Sequence, residues 1–111
     1  MVIQSNCNFF ENVNAPTVSK VFSNAHGDTL SLQISGANGK YYIEGRNNTK
    51  GDWVPLAGIN LSNFSPTKGE FTAPGLYELG VVGIREIRAR IESIAGGNVS
   101  IFGQIISTEE T

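Results

Sequence analysis

Hydrophobic and polar residues alternate in short runs along most of the chain, and clusters of turn residues separate the runs. The clearest run lies at 30–34, where Leu30, Leu32 and Ile34 alternate with polar residues, as in a strand with one buried face. Further strands are predicted at 19–22, 40–45, 53–56, 76–82 and 99–107. Short strands separated by turn residues about every ten positions indicate an all-β sandwich or barrel.

The turn residues also predict how the strands connect. Gly36-Ala37-Asn38-Gly39 lies between two strand-like runs and predicts a hairpin. Residues 62–75 have a loop-like composition, with at most one short strand at 70–72. Residues 1–17 are irregular and are interpreted as an N-terminal arm or a first edge strand. Residues 18–111 are then the sandwich domain.

The stretch 83–94, GIREIRARIESI, has two interpretations. Its isoleucines at 84, 87, 91 and 94 recur at the spacing of one helix face. Ile87, Ala89 and Ile91 also alternate with charged residues, as in a strand. Gly83 is a poorer helix cap than Ser, Thr, Asp or Asn. Gly96-Gly97-Asn98 would end a helix or form a hairpin loop equally well. The pattern favours the strand.

Composition and charge exclude several classes of protein. The 111 residues are enough for one domain with a core. A net charge of -2 and a pI near 5.3 argue against nucleic-acid binding. No run approaches the roughly 18 to 20 apolar residues of a membrane span, and the N-terminus lacks the features of a signal peptide. We therefore expect no nucleic acid and no membrane as partners, and synthesis and folding in a cytoplasm.

Candidate chemistry in the sequence is sparse. His26 is the only histidine and Cys7 the only cysteine, so neither a catalytic triad nor a zinc site has the residues it needs. Cys7 has no activating cation beside it in the sequence and is interpreted as an inert thiol. We expect no enzyme activity, no catalytic residues, no metal and no cofactor. The aromatic residues Trp53, Tyr41, Tyr42 and Tyr77 are candidates for a saccharide-stacking platform, although core or rim packing accounts for them more simply.

Several segments together resemble a small β-sandwich module of tailed bacteriophages. These segments are Tyr42–Asn47 (YIEGRN), Gly51–Leu56 (GDWVPL), Pro74–Gly83 (PGLYELGVVG), Ile87–Ile91 (IRARI) and Gly97–Ile101 (GNVSI). The module occurs in head decoration proteins, in tail and baseplate components and in fibres. The resemblance covers about residues 30–107. It implies a single antiparallel sandwich, jelly-roll-like or Ig-like, in which Arg88 lies on a strand and faces outward.

The resemblance also implies a function. A free-standing domain with an irregular N-terminal arm suits a capsid decoration, or cement, protein on the outer capsid surface of the virion. Its partners would be the major capsid protein or other virion proteins, and it would form a homo-oligomer, with a trimer favoured. The candidate protein interface comprises Arg85, Arg88, Arg90, Glu86 and Glu92. The alternative is a tail, baseplate or fibre component that binds a host surface saccharide through the aromatic platform.

Overall fold

The computed structural model of the protein describes residues 2–108, and these residues form β-strands without any helix. The strands, numbered in chain order, are β1 (Val2–Val13), β2 (Thr17–Val18), β3 (Phe22–Ser23), β4 (Thr29–Gly36), β5 (Gly39–Arg46), β6 (Val54–Pro55), β7 (Gly58–Asn60), β8 (Pro66–Thr67), β9 (Gly75–Gly80), β10 (Glu86–Ile94) and β11 (Val99–Thr108). They build two antiparallel sheets. The predicted all-β antiparallel sandwich is therefore confirmed.

The sheets differ in size and strand order. The larger, six-stranded sheet has the order β1-β11-β4-β9-β7-β8, and the smaller sheet has the order β2-β10-β5-β6, with β3 also paired to β10. The longest strand, β1, lies at one edge of the larger sheet, and the two-residue strands β2, β6 and β8 lie at the other edges. The short strands β7 and β8 were not predicted, and the strand considered at 70–72 is reduced to a bridge between Phe71 and Tyr41. Short edge strands offer little backbone for pairing with another chain.

The core lies between the two sheets and is filled by the inward residues of the alternating runs. In β4, the predicted series Leu30, Leu32 and Ile34 is buried. The other buried hydrophobic residues are Cys7, Phe9, Phe10, Tyr41, Ile43, Phe71, Tyr77, Leu79, Val81, Ile87, Ala89, Ile91, Val99, Ile101 and Ile105. Each fully buried large side chain contributes about 1.5–3 kcal/mol relative to exposure. The period-two pattern thus determines which face of each strand packs inward.

The ambiguous stretch 83–94 is a strand. Ile87, Ala89 and Ile91 of β10 are buried, while the charged residues between them face outward. The helix-like spacing of the four isoleucines arises because the first and the last of them lie outside the regular part of the strand. Ile84 precedes the strand, and Ile94 follows a register shift between Ile91 and Ser93. Both are half-buried and pack against the core, but they lie outside the uninterrupted alternation of Ile87, Ala89 and Ile91.

Two connections cross between the sheets: the predicted hairpin at Gly36–Gly39, and the connection at 95–98, for which a hairpin loop was one of two alternatives. β4 lies in the larger sheet and β5 in the smaller one, so the turn at Gly36–Gly39 joins the two layers. The same holds for the connection from β10 to β11 through 95–98. Gly36 has a φ of 104° and lies so close to the backbone of Asn98 that a Cβ would be 2.2 Å from the Asn98 oxygen. The hairpin prediction for Gly36–Gly39 was wrong. Glycine is needed at position 36 because this connection passes close to the connection at 95–98, and not because it turns between two paired strands.

Residues 2–13 form the edge strand β1, which pairs with β11 along most of its length. The partner of Cys7 in the register is Gly103. A Cβ at Gly103 would lie 2.8 Å from the Phe9 ring and 2.9 Å from Leu30 Cδ1. The missing side chain at 103 is therefore what allows β1 to pack its aromatic residues into the core.

The Cys7 thiol is expected to be unreactive in the folded protein. Burial raises the pKa of Cys7 from 9.0 to about 11, with Lys20 opposing the rise, and the residue is 1% exposed. A shift of this size lowers the thiolate fraction roughly a hundredfold, and the thiolate is the reactive form. A disulfide reagent should therefore modify native protein at least about a hundredfold more slowly than protein unfolded in guanidinium chloride. Rapid stoichiometric modification with the circular dichroism spectrum unchanged would contradict this.

Candidate functional site

The outer face of the smaller sheet concentrates charged and aromatic side chains. In the β5–β10 register, Arg46 lies opposite Glu86, Glu44 opposite Arg88, and Tyr42 opposite Arg90. Directly opposed positions on antiparallel strands bring side chains of one face into contact. We call this surface the arginine face. Its members are Tyr42, Glu44, Arg46, Trp53, Glu86, Arg88 and Arg90.

Glu44 is the buried centre of the ion-pair network. Its Oε1 accepts a hydrogen bond from Arg88 Nε at 2.8 Å, and its Oε2 accepts one from Arg90 Nε at 3.1 Å. Glu44 is only 5% exposed, although it lies on the charged outer face of β5. A buried carboxylate is tolerated when charged donors satisfy both of its oxygens. The two arginines therefore fix Glu44, and Glu44 in turn fixes their orientation.

The arginines also stack on aromatic rings. The guanidinium carbons of Arg46 and Arg88 both lie 4.3 Å from the ring centroid of Trp53, and that of Arg90 lies 4.3 Å from the centroid of Tyr42. Trp53 reaches this position because it directly precedes β6, which pairs with β5 at Glu44 and Gly45. Cation–π contacts of this kind contribute about 0.5–2 kcal/mol each. The rings and the carboxylates hold each guanidinium from two sides.

The outer members of the network extend it on both sides. Arg46 Nε donates to Glu86 Oε1 at 2.7 Å, and Arg90 Nη1 lies 3.7 Å from Glu92 Oε1. The Tyr42 hydroxyl donates to Glu70 Oε2 at 3.1 Å. Partial desolvation and this hydrogen bond to Glu70 raise the pKa of Tyr42, so the hydroxyl remains a donor.

The structure brings members of the candidate protein interface and of the candidate saccharide platform together on one surface. Of the candidate protein interface, Glu86, Arg88 and Arg90 lie on the arginine face, and Glu92 is at its margin. Their ion pairs form within the chain. Arg85 is exposed beyond the end of β10 and lines clefts at one end of the sandwich.

The aromatic candidates divide into surface and core residues. Trp53 and Tyr42 are half-buried on the arginine face. Tyr41 and Tyr77 are buried in the core, where their hydroxyls donate to the carbonyl oxygens of Ala37 and Ala73. Core packing thus accounts for Tyr41 and Tyr77, and a stacking platform cannot include them. Arg46 and Glu70 were not among the site residues predicted from the sequence. The alternation of Tyr42, Glu44 and Arg46 along β5 is the signal that would have indicated a charged outer face.

The end of the sandwich near His26 is a second polar region. A cleft of about 340 Å³ there is lined by residues 24–28 and 82–85. Asn24 is buried beneath it, and its side chain donates to the carbonyl oxygens of Val81 and Ile84 and accepts from the Gly27 amide. Among residues 2–108, no group of three or more His, Cys, Asp or Glu side chains is placed to hold a metal ion. The same residues contain no helix that is long and apolar enough to cross a membrane.

Comparisons with known proteins give a family and two similar structures. The family model described as XepA matches residues 4–105. The crystal structure of the SPBc2 prophage-derived protein YomS superposes with a TM-score of 0.84 at 19% identity, covering 96% of both chains. That of the PBSX exported protein XepA superposes with a TM-score of 0.87 at 18% identity. It covers 96% of this chain but only 38% of the XepA chain. At such low identity the likeness to both structures concerns the fold. No curated protein shows a significant sequence match.

Proposed function

The chain belongs to the XepA family, and on this premise we propose that it is a phage-derived protein that acts by binding another protein and not by catalysis. Its structural relatives support the phage origin, since YomS is an SPBc2 prophage-derived protein and XepA is a PBSX exported protein. The resemblance of the sequence to the β-sandwich module of tailed phages points the same way. All three lines of support concern origin and fold.

The arginine face is the observation that carries the binding role. It combines a tryptophan, a tyrosine and three arginines, the residue types that are enriched at the energetic centres of protein interfaces. Its side chains are held by ion pairs and ring contacts before any partner arrives. A rigid surface loses little side-chain entropy on binding. The geometry therefore suits recognition of a preformed partner surface.

In finer detail, we propose a capsid decoration protein whose partner is the major capsid protein. A protein that binds only the assembled shell stabilises that shell by mass action, by roughly 4 kcal/mol at a thousandfold excess over Kd. A homo-oligomer, with a trimer favoured, would strengthen attachment through effective concentration. Because β1 is part of the sheet, the contact is assigned to the arginine face. The virion surface is the location that this role requires.

Binding to particles tests the proposal. Purified protein is mixed with heads of the phage that encodes it, and cosedimentation and the melting temperature of the shells are measured. We expect saturable binding and a raised melting temperature. Trp53→Ala should weaken binding by about tenfold or more, because the indole positions two guanidiniums.

The matched control removes an exposed aromatic side chain elsewhere. Phe64 is 79% exposed and lies between β7 and β8, at the edge of the larger sheet. Phe64→Ala should leave head binding unchanged, provided that circular dichroism shows both variants to be folded. Absence of wild-type binding to heads would overturn the capsid role.

Saccharide binding is the second candidate function. The observation in its favour is that Trp53 and Tyr42 lie on one surface, beside hydrogen-bonding side chains. Against it, a guanidinium lies on each ring, and sugar stacking needs an open aromatic face. A glycan array separates the two functions. Saturable glycan binding that is lost in Trp53→Ala would favour the saccharide role, and a blank array on folded protein would argue against it.

A further inference from the structure

We propose that Arg88, together with Arg46, which contacts the same Trp53 ring, binds a carboxylate side chain of the partner protein. This inference deepens the proposed binding role and rests on it for the identity of the partner. It assigns a ligand chemistry and a position within the arginine face.

The distribution of charge singles out Arg88. Arg46 has its own carboxylate in Glu86, whereas Arg88 and Arg90 share the single carboxylate of Glu44. Arg90 has a second carboxylate nearby, since its Nη1 lies 3.7 Å from Glu92. Within the described residues, the only carboxylate paired with Arg88 is that of Glu44, which also pairs with Arg90. A positive charge therefore remains incompletely neutralised at Arg88.

The uncompensated charge faces outward. The side chain of Arg88 is 25% exposed, whereas that of Glu44 is 7% exposed. The carboxylate thus lies beneath the guanidinium, on the protein side. An approaching ligand meets the cation before it meets the anion, and an acidic group is electrostatically complementary to this surface.

Arginine donors remain available for such a ligand. A planar guanidinium has five N–H groups in a fixed arrangement. A carboxylate that is reached through Nε accepts from at most two of them, so at least three donors on Arg88 are left for solvent or a ligand. The same geometry applies to Arg46, which reaches Glu86 through Nε.

Two such guanidiniums are held close together. Because Arg46 and Arg88 each lie 4.3 Å from the same ring centroid, their guanidinium carbons are at most 8.6 Å apart, twice that distance. The ring and the carboxylates fix their orientation, which lowers the entropic cost of forming new hydrogen bonds. Arg46 and Arg88 are thus spaced to act together on one acidic side chain or on two neighbouring ones.

The overall charge favours a protein partner over a polyanion. The chain has a net charge of -2 and a pI near 5.3, so it repels an extended phosphate polymer outside this one patch. A carboxylate presented on a folded surface needs only a local complement. The proposal therefore commits to acidic side chains of a protein.

Trp53 allows a direct test, because it is the only tryptophan in the chain and contacts both arginines. Its fluorescence is titrated with a short glutamate-rich peptide in low salt, with sodium chloride of equal ionic strength and a lysine-rich peptide as references. We expect a saturable change with the glutamate peptide alone, weakened by added salt.

Variants locate the response. Arg88→Lys keeps the charge but removes the planar donor set, and it should weaken peptide binding about tenfold. Arg88→Ala should abolish the saturable change. Lys68→Ala removes the same charge from an exposed side chain that lies outside the network, and it should bind peptide like the wild type. Circular dichroism confirms folding of each variant.

Four results would overturn the inference. These are a wild-type titration that does not saturate, an unchanged affinity in Arg88→Ala, a stronger response to polyphosphate than to the peptide, and a fluorescence change with protein concentration alone, which would identify a second copy as the occupant. The titration uses no phage particle. Its failure is therefore distinguishable from failure of the capsid role, which depends on binding to heads.

Discussion

Replacing Ala89 with aspartate is expected to prevent stable folding. Ala89 is completely buried at the centre of β10, between Ile87 and Ile91 and opposite Ile43. An aspartate there would bury a carboxylate with no partner, which costs several kcal/mol. Because a domain of this size has a total stability of about 5–15 kcal/mol, we expect a loss of at least about 4 kcal/mol. Urea unfolding followed by circular dichroism measures it.

The same substitution separates the strand from the helix that the sequence also allowed. In a helix, Ala89 would lie two residues and about 200° from Ile87, on the charged side, where aspartate is harmless. The control is Ser93→Asp, at an exposed position of the same strand, with an expected change within about 0.5 kcal/mol. A wild-type urea midpoint for Ala89→Asp would contradict the strand and the inward face assigned to β10.

Most strand positions and their inward faces follow from the sequence, because burial on one side leaves a period-two pattern. β4 and β10 show this directly, since their alternating apolar residues are the buried ones. The edge strand β1 was predicted only as one of two alternatives. Its sequence mixes asparagine and serine with Cys7 and Phe9, and Gly103 on the neighbouring strand is what makes room for it. Gly103 lies about a hundred residues from β1 in the sequence, so the local sequence of β1 does not show that the strand can pack there.

The sheet to which each strand belongs could not be predicted from the local sequence. A turn that joins two strands of one sheet and a turn that crosses to the other sheet both connect alternating runs and both favour glycine. The difference lies in contacts with distant segments, such as Gly36 against the Asn98 backbone. The predicted hairpin at Gly36–Gly39 and the connection after β10 both cross between layers, so alternation indicates the inward face but not the sheet.

The candidate site was predicted in parts. Arg88, Arg90 and Glu86 were proposed for one function and Trp53 and Tyr42 for another, because sequence separation hid their contact. The β5–β10 register brings them onto one surface. The burial of Glu44 was not predicted, because burial of a charged residue depends on partners that another strand supplies.

Asn24 has a structural role that its sequence context did not indicate, and Asn24→Asp should reveal it. Its amide nitrogen donates to two carbonyl oxygens, those of Val81 at 3.1 Å and Ile84 at 2.8 Å. An aspartate would place a carboxylate oxygen against both carbonyls in a buried position. We expect a loss of about 3 kcal/mol in the free energy of unfolding at neutral pH, since a buried donor is replaced by an unsatisfied charge. Urea denaturation measures the loss.

The loss should depend on pH in a defined direction. Burial and the two carbonyls disfavour the charged form, so the pKa of the introduced carboxyl in the folded state is raised above its unfolded value of about 3.9. The folded variant therefore binds more protons than the unfolded one between these two values. Its stability relative to the wild type is greatest below the unfolded pKa and falls as pH rises through the folded pKa. The deficit of Asn24→Asp should thus shrink as pH is lowered towards 4.

Two controls make the effect specific to charge at this position. Asn24→Ala removes the same hydrogen bonds without adding a charge, so its deficit relative to the wild type should not vary with pH. Asn48→Asp makes the same chemical change at an exposed site, where the side-chain oxygen only accepts from the Lys50 amide at 2.7 Å, and it should be nearly neutral. A pH-independent deficit in Asn24→Asp would mean that the side chain is solvated there. The amide would then not connect the loops on either side of the cleft near His26.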